Sequence, residues 1–272
     1  MDDEAGLAAT IAATAVPTGQ VICWWLGGSG FVLKSPGGTQ VYIDPYLSDS
    51  VDDIFGQGRA FPSPIAPEEA RPDVLISTHW HEDHLDPGTI PTVARTSGKT
   101  QFVMPPTAMS RALGWGVPRG RVSSLVAGGS TTIADVTITH VPARHDSGIA
   151  GWEVPDAMGV LVTIGDVRIY HTGDTEYDGR LRGMQASRPD VMMVCVNGSG
   201  GNMNTHEAAL LAWQIDPGTV VPMHHYLWAG TSAAEANQQP AEMAATYARL
   251  GGRGHVISPE LAKPIVLMPR TM

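Results

Sequence analysis

From residue 21 the apolar positions come in short blocks: VICWWL, FVLKS and QVYIDPY follow one another, separated only by GGSG and SPGGT. Blocks of this kind, rich in Val, Ile, Trp and Tyr and bounded by Gly, Ser and Pro, predict β-strands joined by tight turns. The first three strands are expected to form an antiparallel meander. Upstream, residues 4–16 are Ala-rich and weakly capped, and Pro17 closes the helix they predict. Residues 1–20 therefore read as a peripheral arm on a single domain spanning 21–272.

A connection containing Gly56, Gly58, Pro62, Pro64 and Pro67 follows, too rich in breakers for regular structure. Connections of that length often border active sites. Residues 73–78, DVLIST, then predict a buried strand, and Asp86-Pro87 predicts a helix N-cap with proline in the first turn. HWHEDHL is thereby placed in a strand-to-helix loop. Further strands are expected at 101–104, 121–126, 136–141, 159–164, 167–171, 191–196 and 219–222, with helices near 208–214 and 233–250. Interleaved strands and helices of this kind indicate a layered α/β architecture. There is no short-period repeat, low-complexity tract or linker between two cores, which favours one domain.

Composition narrows the function. A hydrophobic share of 43% against 16% charged residues belongs to a globular chain. Lys and Arg number 17 against 27 Asp and Glu, a formal charge of −10 that argues against gripping nucleic-acid backbones. Bound divalent cations would reverse that sign locally inside a pocket. Cys23 and Cys195 lie in apolar blocks with no metal or redox spacing, so buried reduced thiols are expected. The start of the chain is acidic where a secretory leader is basic, and no apolar run approaches the ~18 residues of a membrane span. The expectation is a cytoplasmic protein acting on a small molecule, with no nucleic-acid or membrane partner, alone or as a homo-oligomer.

The chemistry is concentrated in His79-Trp80-His81-Glu82-Asp83-His84, where four potential metal ligands occupy one short loop just past a buried strand. Extended backbone places 79, 81 and 83 on one side, and the turn before the helix can bring His84 round beside them. Imidazoles with a carboxylate suit zinc first, with iron or manganese as alternatives.

This His-x-His-x-Asp-His run resembles the signature of the metallo-β-lactamase superfamily, and the rest of that pattern follows in order. Asp44 ends VYID, His145 stands in VPARHD, Asp174 in YHTGDT and His224 in VVPMHH. The resemblance implies a four-layer αββα sandwich with two divalent metal ions at one edge of its sheets. It further implies that His79, His81 and His145 hold one ion, that Asp83, His84 and His224 hold the other, and that Asp174 bridges them. Asp44 would brace the ligand loop, and Asp83 would orient a metal-bound hydroxide for attack; His171, just before Gly173-Asp174, reads as a residue behind the ligands or a packing residue. The phrases CWWLGGSGFVLKSPGGTQVYID, GWGVP, YHTGDT, NGSGGNMN and VVPMHHYLW are also similar to the L-ascorbate-6-phosphate lactonase group and its relatives. That likeness implies opening of a lactone, on a phosphorylated sugar acid in the narrow group. Phosphodiester hydrolysis and a non-hydrolytic redox or sensory role are the alternatives.

Substrate contacts are expected from Asn197, Asn202 and Asn204 in NGSGGNMN, from Arg144 and from His225, the last an alternative to His224 as ligand. Trp80, Tyr226 and Trp228 are candidates for pocket walls or core. His140, His206 and His255 read as core or surface residues. GGSG at 27–30 joins two strands and opens no helix, so it reads as a hairpin turn and not as a nucleotide-binding loop. No Gly-x-Ser-x-Gly elbow is present, and Ser199 has no evident base.

Overall fold

Alternation along the strands decides how the layers stack. In a computed structural model the described residues are 6–146, 148, 150–230 and 239–270. The first half of the chain gives α1 (Leu7–Ala13), β1 (Val21–Gly27), β2 (Gly30–Lys34), β3 (Gln40–Ile43), α2 (Ser50–Phe55), β4 (Val74–Ile76), α3 (Thr89–Thr96), β5 (Gln101–Met104), α4 (Pro106–Gly114) and β6 (Val122–Ser124). The second half gives β7 (Ser130–Ile133), β8 (Val136–Pro142), β9 (Met158–Ile164), β10 (Val167–His171), β11 (Val191–Cys195), α5 (Thr205–Ile215), β12 (Thr219–Met223), α6 (Pro240–Arg249), β13 (His255–Val256) and β14 (Pro264–Leu267).

Successive side chains on a strand point to opposite faces. In β1, Val21, Cys23 and Trp25 join the core between the sheets, whereas Ile22, Trp24 and Leu26 pack outward. The same split recurs at Val41 and Ile43 against Tyr42, and at Val103 against Phe102 and Met104. Both faces are thus apolar, which is why these blocks read as continuous hydrophobic runs. The outward set of the first sheet is covered by Ile11 of α1, Ile90 and Val93 of α3 and Ala108 and Ala112 of α4. On the second sheet, α5 packs against β11 and α6 packs on α5. The result is the expected four-layer αββα sandwich.

Each sheet has seven strands, ordered β14-β1-β2-β3-β4-β5-β6 and β13-β12-β11-β10-β9-β8-β7. β1, β2 and β3 form the expected antiparallel meander, and β3 to β6 continue in parallel. The second sheet repeats the plan: β7 to β10 are antiparallel and β10 to β13 parallel. β14 then returns to the first sheet and pairs antiparallel with β1, Val21 opposite Leu267. Among the described residues no helix is long and apolar enough to cross a membrane.

Several local expectations need correction. The helix expected at 4–16 is seen as Leu7–Ala13, packed on the first sheet. Ile11 is fully buried, and the Lys34 ammonium donates to the Ile11 and Ala12 carbonyls at 2.6 and 2.7 Å, placing positive charge at the helix C-terminus. Asp86 does not occupy the N-cap; Gly88 does. The Asp86 carboxylate is spent on a buried hub, accepting from Leu47 N, Ser48 N, Ser50 Oγ and Gly88 N at 2.7–3.1 Å, which ties the segment before α2 to the ligand loop. The strand expected at 121–126 shrinks to β6, preceded by a 3-10 turn at Arg119–Arg121 that follows Pro118. Part of the helix expected at 233–250 lies outside the described residues; the described part starts with Pro240 in its first turn. α2, α4, β7, β13 and β14 were not expected.

Candidate metal centre

β4 is short because the chain leaves the ladder to present the ligand loop. The Thr78 N–H goes instead to Asp44 Oδ1 at 2.7 Å, and the Thr78 hydroxyl donates to Asp44 Oδ2 at 2.7 Å. Asp44 is fully buried, with a left-handed backbone (φ 45°), and also accepts from His84 Nδ1 at 2.8 Å. One carboxylate therefore sets both ends of the His79–His84 run.

Hydrogen-bond partners assign the ring tautomers. Thr78 Oγ1 has given its proton to Asp44, so at 3.1 Å from His79 Nδ1 it accepts, and His79 Nε2 is left as a lone pair. His81 Nε2 donates to the Trp152 carbonyl at 3.1 Å, which leaves its Nδ1 as a lone pair. Those two lone pairs face each other at 3.0 Å, and His145 Nε2 lies 3.1 Å from the same His81 nitrogen. Converging lone pairs repel unless a cation sits among them. His84, with Nδ1 committed to Asp44, turns Nε2 toward Asp174 at 3.4 Å and Asp83 at 3.6 Å, with no hydrogen-bond partner for it.

His145, beyond β8, and His224, beyond β12, come from the second sheet. His224 Nε2 lies 3.3 Å from both Asp83 and Asp174. Asp174 follows β10 through Gly173, where φ is +60° and a Cβ would stand 2.7 Å from the Met158 carbonyl, so only glycine fits that turn. His171 holds the turn: its Nδ1 accepts from Gly173 N at 3.1 Å and its Nε2 donates to Ser29 O at 2.9 Å. Potential ligand atoms of His79, His81 and His145, of His79, His84 and Asp174, and of Asp83, His84 and His224 lie within 4.8 Å of one another in each group.

The electrostatics divide the cluster. Burial, reinforced by the neighbouring imidazoles, holds His79 well below its ordinary pKa and His81 at about 4, and burial lowers His145 too. These three rings are neutral, as ligation requires. Burial opposes charge on Asp83, but His84 and His224 outweigh it and hold the carboxylate at about 2. Burial likewise opposes charge on His224, yet Asp174 and Asp83 lift it to about 10, and the same carboxylates raise His84. The donor set therefore fits divalent ions, which would take the place of protons shared between acids and imidazoles.

Above the cluster opens a cavity of about 250 Å³ lined by His81, Glu82, Asp83, His145, Asp174 and His224 together with Val51, Phe55, Gln57, Trp152, Asn197, Ser199, Gly200, Asn202 and Trp228. Asn197 and Asn202 reach it, and Asn202 Nδ2 donates to Asp174 Oδ2 at 2.6 Å. Asn204 does not: its side chain caps α5 by accepting from His206 N and Glu207 N, while Glu207 accepts from Asn204 N. Arg144 turns away to pair with Glu176 at 2.6 Å. His225 is buried against Trp25, ring centroids 4.8 Å apart, away from the cavity lining. Trp80 belongs to the outer core of the first sheet and Tyr226 is exposed, so of the three candidate walls only Trp228 lines the cavity.

Sequence reasoning passed over three contributors. The GGSG hairpin is part of the site's support: Gly28 O accepts from His224 N at 2.8 Å, and Ser29 Oγ donates to Asp174 Oδ1 at 3.4 Å. Trp152 holds His81 through its carbonyl and walls the cavity with its ring. Phe55 arrives on α2, an element that was not expected. The breaker-rich segment 56–67 does border the site, through Gln57 and the Arg59–Trp228 bridge. Cys23 and Cys195 are buried free thiols, with the Cys195 thiol pushed up to about 12 by burial.

A family model described as a Beta-lactamase superfamily domain matches residues 23–224. A UPF0173 metal-dependent hydrolase of Anaeromyxobacter dehalogenans (strain 2CP-C) is 32% identical over 253 residues, covering 89% of this chain and 85% of its own length. Another, from Methanopyrus kandleri, is 33% identical over 207 residues, covering 74% of this chain and 82% of its own. Among solved structures, the metallo hydrolase Igni18 from Ignicoccus hospitalis superposes with a TM-score of 0.71 at 20% identity, over 92% of this chain and 100% of its own. An isothiocyanate hydrolase from Delia radicum gut bacteria gives 0.69 at 16% identity, over 90% and 98%. At such identities these structures speak for the fold alone. The narrower likeness to ascorbate-6-phosphate lactonases gains nothing from these relatives, whose names specify no lactone. Motif, fold and relatives agree at the level above it: the chain belongs to the metallo-β-lactamase superfamily and, within it, to the UPF0173 metal-dependent hydrolases.

Proposed function

We propose that the protein opens a lactone by adding water across the ring ester, using two divalent metal ions held by its His and Asp cluster. The observation that carries this reading is the convergence of ring nitrogens of His79, His81 and His145, the first and last lying 3.0 and 3.1 Å from one His81 nitrogen, beside the ionised Asp83 and Asp174 carboxylates at the floor of a small cavity. His79, His81 and His145 would hold one ion, Asp83, His84 and His224 the second, with Asp174 between them. Zinc is the ion this imidazole-rich set favours, ahead of manganese or iron.

The bound metals supply Lewis acidity, which polarises the carbonyl oxygen and acidifies water. The chain's own part is positional. Asp83, ionised and bordering the cavity, accepts a proton from the attacking water and aims its oxygen at the carbonyl carbon. The ring C–O bond breaks, and the departing alkoxide takes up that proton, giving the hydroxy acid. Ser199 hydrogen-bonds Asn197 at 3.4 Å and has no basic partner among the described residues, which favours water over a serine nucleophile. The phosphodiesterase alternative lacks a cationic grip, since no Lys or Arg lines the cavity among the described residues.

The test is turnover of a lactone panel, simple phosphodiesters and β-lactams by zinc-, manganese- and iron-reconstituted protein, with His79→Ala as control. Lactone opening lost in the variant is expected. Efficient phosphodiester cleavage with every lactone intact would replace this reading by the phosphodiesterase.

A further inference from the structure

The cavity has two unlike walls, and together they select the substrate. One wall is apolar. Phe55 and Trp152, from α2 and from the connection between β8 and β9, meet with ring centroids 5.2 Å apart and extend the surface made by Val51 and Trp228. Phe55 is 47% exposed, a large apolar ring held out at the mouth, where it stands ready to lose water against a ligand.

The rest of the lining is polar and adds two uncharged amides to the His and Asp cluster. Asn197 and Asn202 are only 4% and 9% exposed, and the Oδ1 of each has no hydrogen-bond partner. The orientation of Asn202 is fixed, because its Nδ2 must face the Asp174 carboxylate. Its Oδ1 is then a buried, unused acceptor in a cavity-lining side chain, and such an atom is costly to leave without a donor.

Among the described residues, no Lys or Arg lines the cavity. Arg59 is held by the Tyr46 carbonyl and Asp49, Arg111 lies over the Trp80 ring beside Glu82, and Arg144 is paired with Glu176. A phosphate on the substrate would meet no Lys or Arg among the described lining residues, only the carboxyl groups of Glu82, Asp83 and Asp174.

Resting on the lactonase reading, we infer that the substrate is a neutral lactone that carries an aromatic or branched-alkyl substituent and a hydroxyl or amide N–H near its carbonyl. The apolar substituent lies on Phe55 and Trp152, and the donor meets Asn202 and Asn197. Phosphorylated sugar lactones are poor substrates.

The experiment compares, on metal-reconstituted protein, γ-butyrolactone, its α-hydroxy form, its phenylalkyl form, the form bearing both groups, and the phosphate ester of the hydroxyl. The phenylalkyl group should raise kcat/KM by on the order of tenfold to a hundredfold, mainly through KM. The hydroxyl should add to this, and phosphorylation should cost at least about tenfold. Phe55→Ala should pull the phenylalkyl-to-parent ratio toward one, and Asn197→Leu should erase the advantage of the hydroxyl. If parent lactones are opened but the phenylalkyl group gives no gain, or the phosphorylated lactone is preferred, this inference is overturned while the lactonase reading stands. If no lactone in the series is opened, the lactonase reading fails, and calorimetric titration with the phenylalkyl lactam and its phosphorylated counterpart decides the pocket's preference. Equal or tighter binding of the phosphorylated lactam then overturns the inference as well.

Discussion

Asp44 and His84, 40 residues apart in sequence, meet at 2.8 Å, and the Asp44 carboxylate fixes which nitrogen of His84 faces the cluster. Asp44→Asn keeps the side-chain shape, and Asn tolerates the left-handed backbone found there. It offers only one acceptor oxygen where Asp44 receives Thr78 N, Thr78 Oγ1 and His84 Nδ1. Metal affinity should drop by roughly 10–100-fold, the usual cost of losing a carboxylate behind a ligating histidine. Competition with a chromogenic chelator measures it; an unchanged affinity would show that Asp44 serves the backbone alone.

Removing His79 and His81 together takes two of the three facing imidazoles from one group. The His79→Ala/His81→Ala protein should lose at least one equivalent of bound zinc by elemental analysis, with a folded far-UV signature. Full metal content would place the ions elsewhere in the chain.

Asp83→Asn should bind at least one metal yet turn over lactone about a hundredfold or more slowly, since an amide cannot accept the proton of the attacking water. The check is kcat at matched metal content. A kcat within a few-fold of the parent would remove Asp83 from the chemistry.

In the stripped protein the histidines titrate in opposing senses. Burial holds His81 and His225 at about 4, below the ordinary 6.5. Their contribution to stability is present above about 6.5 and is lost as pH falls toward 4. His224, raised to about 10 by Asp174 and Asp83 against the effect of burial, contributes fully below 6.5 and loses that contribution as pH climbs through 10. The metal-free Tm should therefore peak near pH 6.5. Zinc must displace the protons on His84 and His224, so its affinity should tighten with pH above 6.5, with proton release read from buffer-dependent calorimetric heats. A zinc affinity independent of pH would contradict the charge state assigned to these rings.

Asn204 tests the boundary of the site. Asn204→Ala removes the cap of α5 and should cost about 1 kcal/mol, a Tm loss of roughly 2–4 °C in a chain of this size. The kcat/KM should stay within about twofold, whereas a large KM effect would return Asn204 to the substrate contacts.

How far the sequence revealed this site depends on whether a residue's partner is near it in the chain. His79, His81, Asp83 and His84 were legible because one loop carries them all, and His145, Asp174 and His224 because each ends an apolar block in the expected order. Asn204 was misread even though Asn followed three positions later by Glu207 is a capping signature; the glycines before it suggested a binding loop. Ser29 was hidden because its contact with Asp174 joins two sheets, 145 residues apart in sequence. Phe55 and Trp152 were silent for the same reason, coming from a short helix and an irregular connection. The sandwich's two similar halves left no repeat in sequence, because they share strand order and direction while their side chains differ.

The pairing of β1 with β14 has a consequence for how the chain is made. At roughly 5–20 residues per second, β1 leaves the ribosome some 10–50 seconds before its partner exists. Throughout that interval Val21, Ile22, Cys23 and Trp24 form an open strand edge able to join a neighbouring nascent chain. Synthesis of this protein therefore carries an aggregation hazard that ends only when β14 has been made, and a version cut before residue 264 should collect in inclusion bodies even with every metal ligand intact.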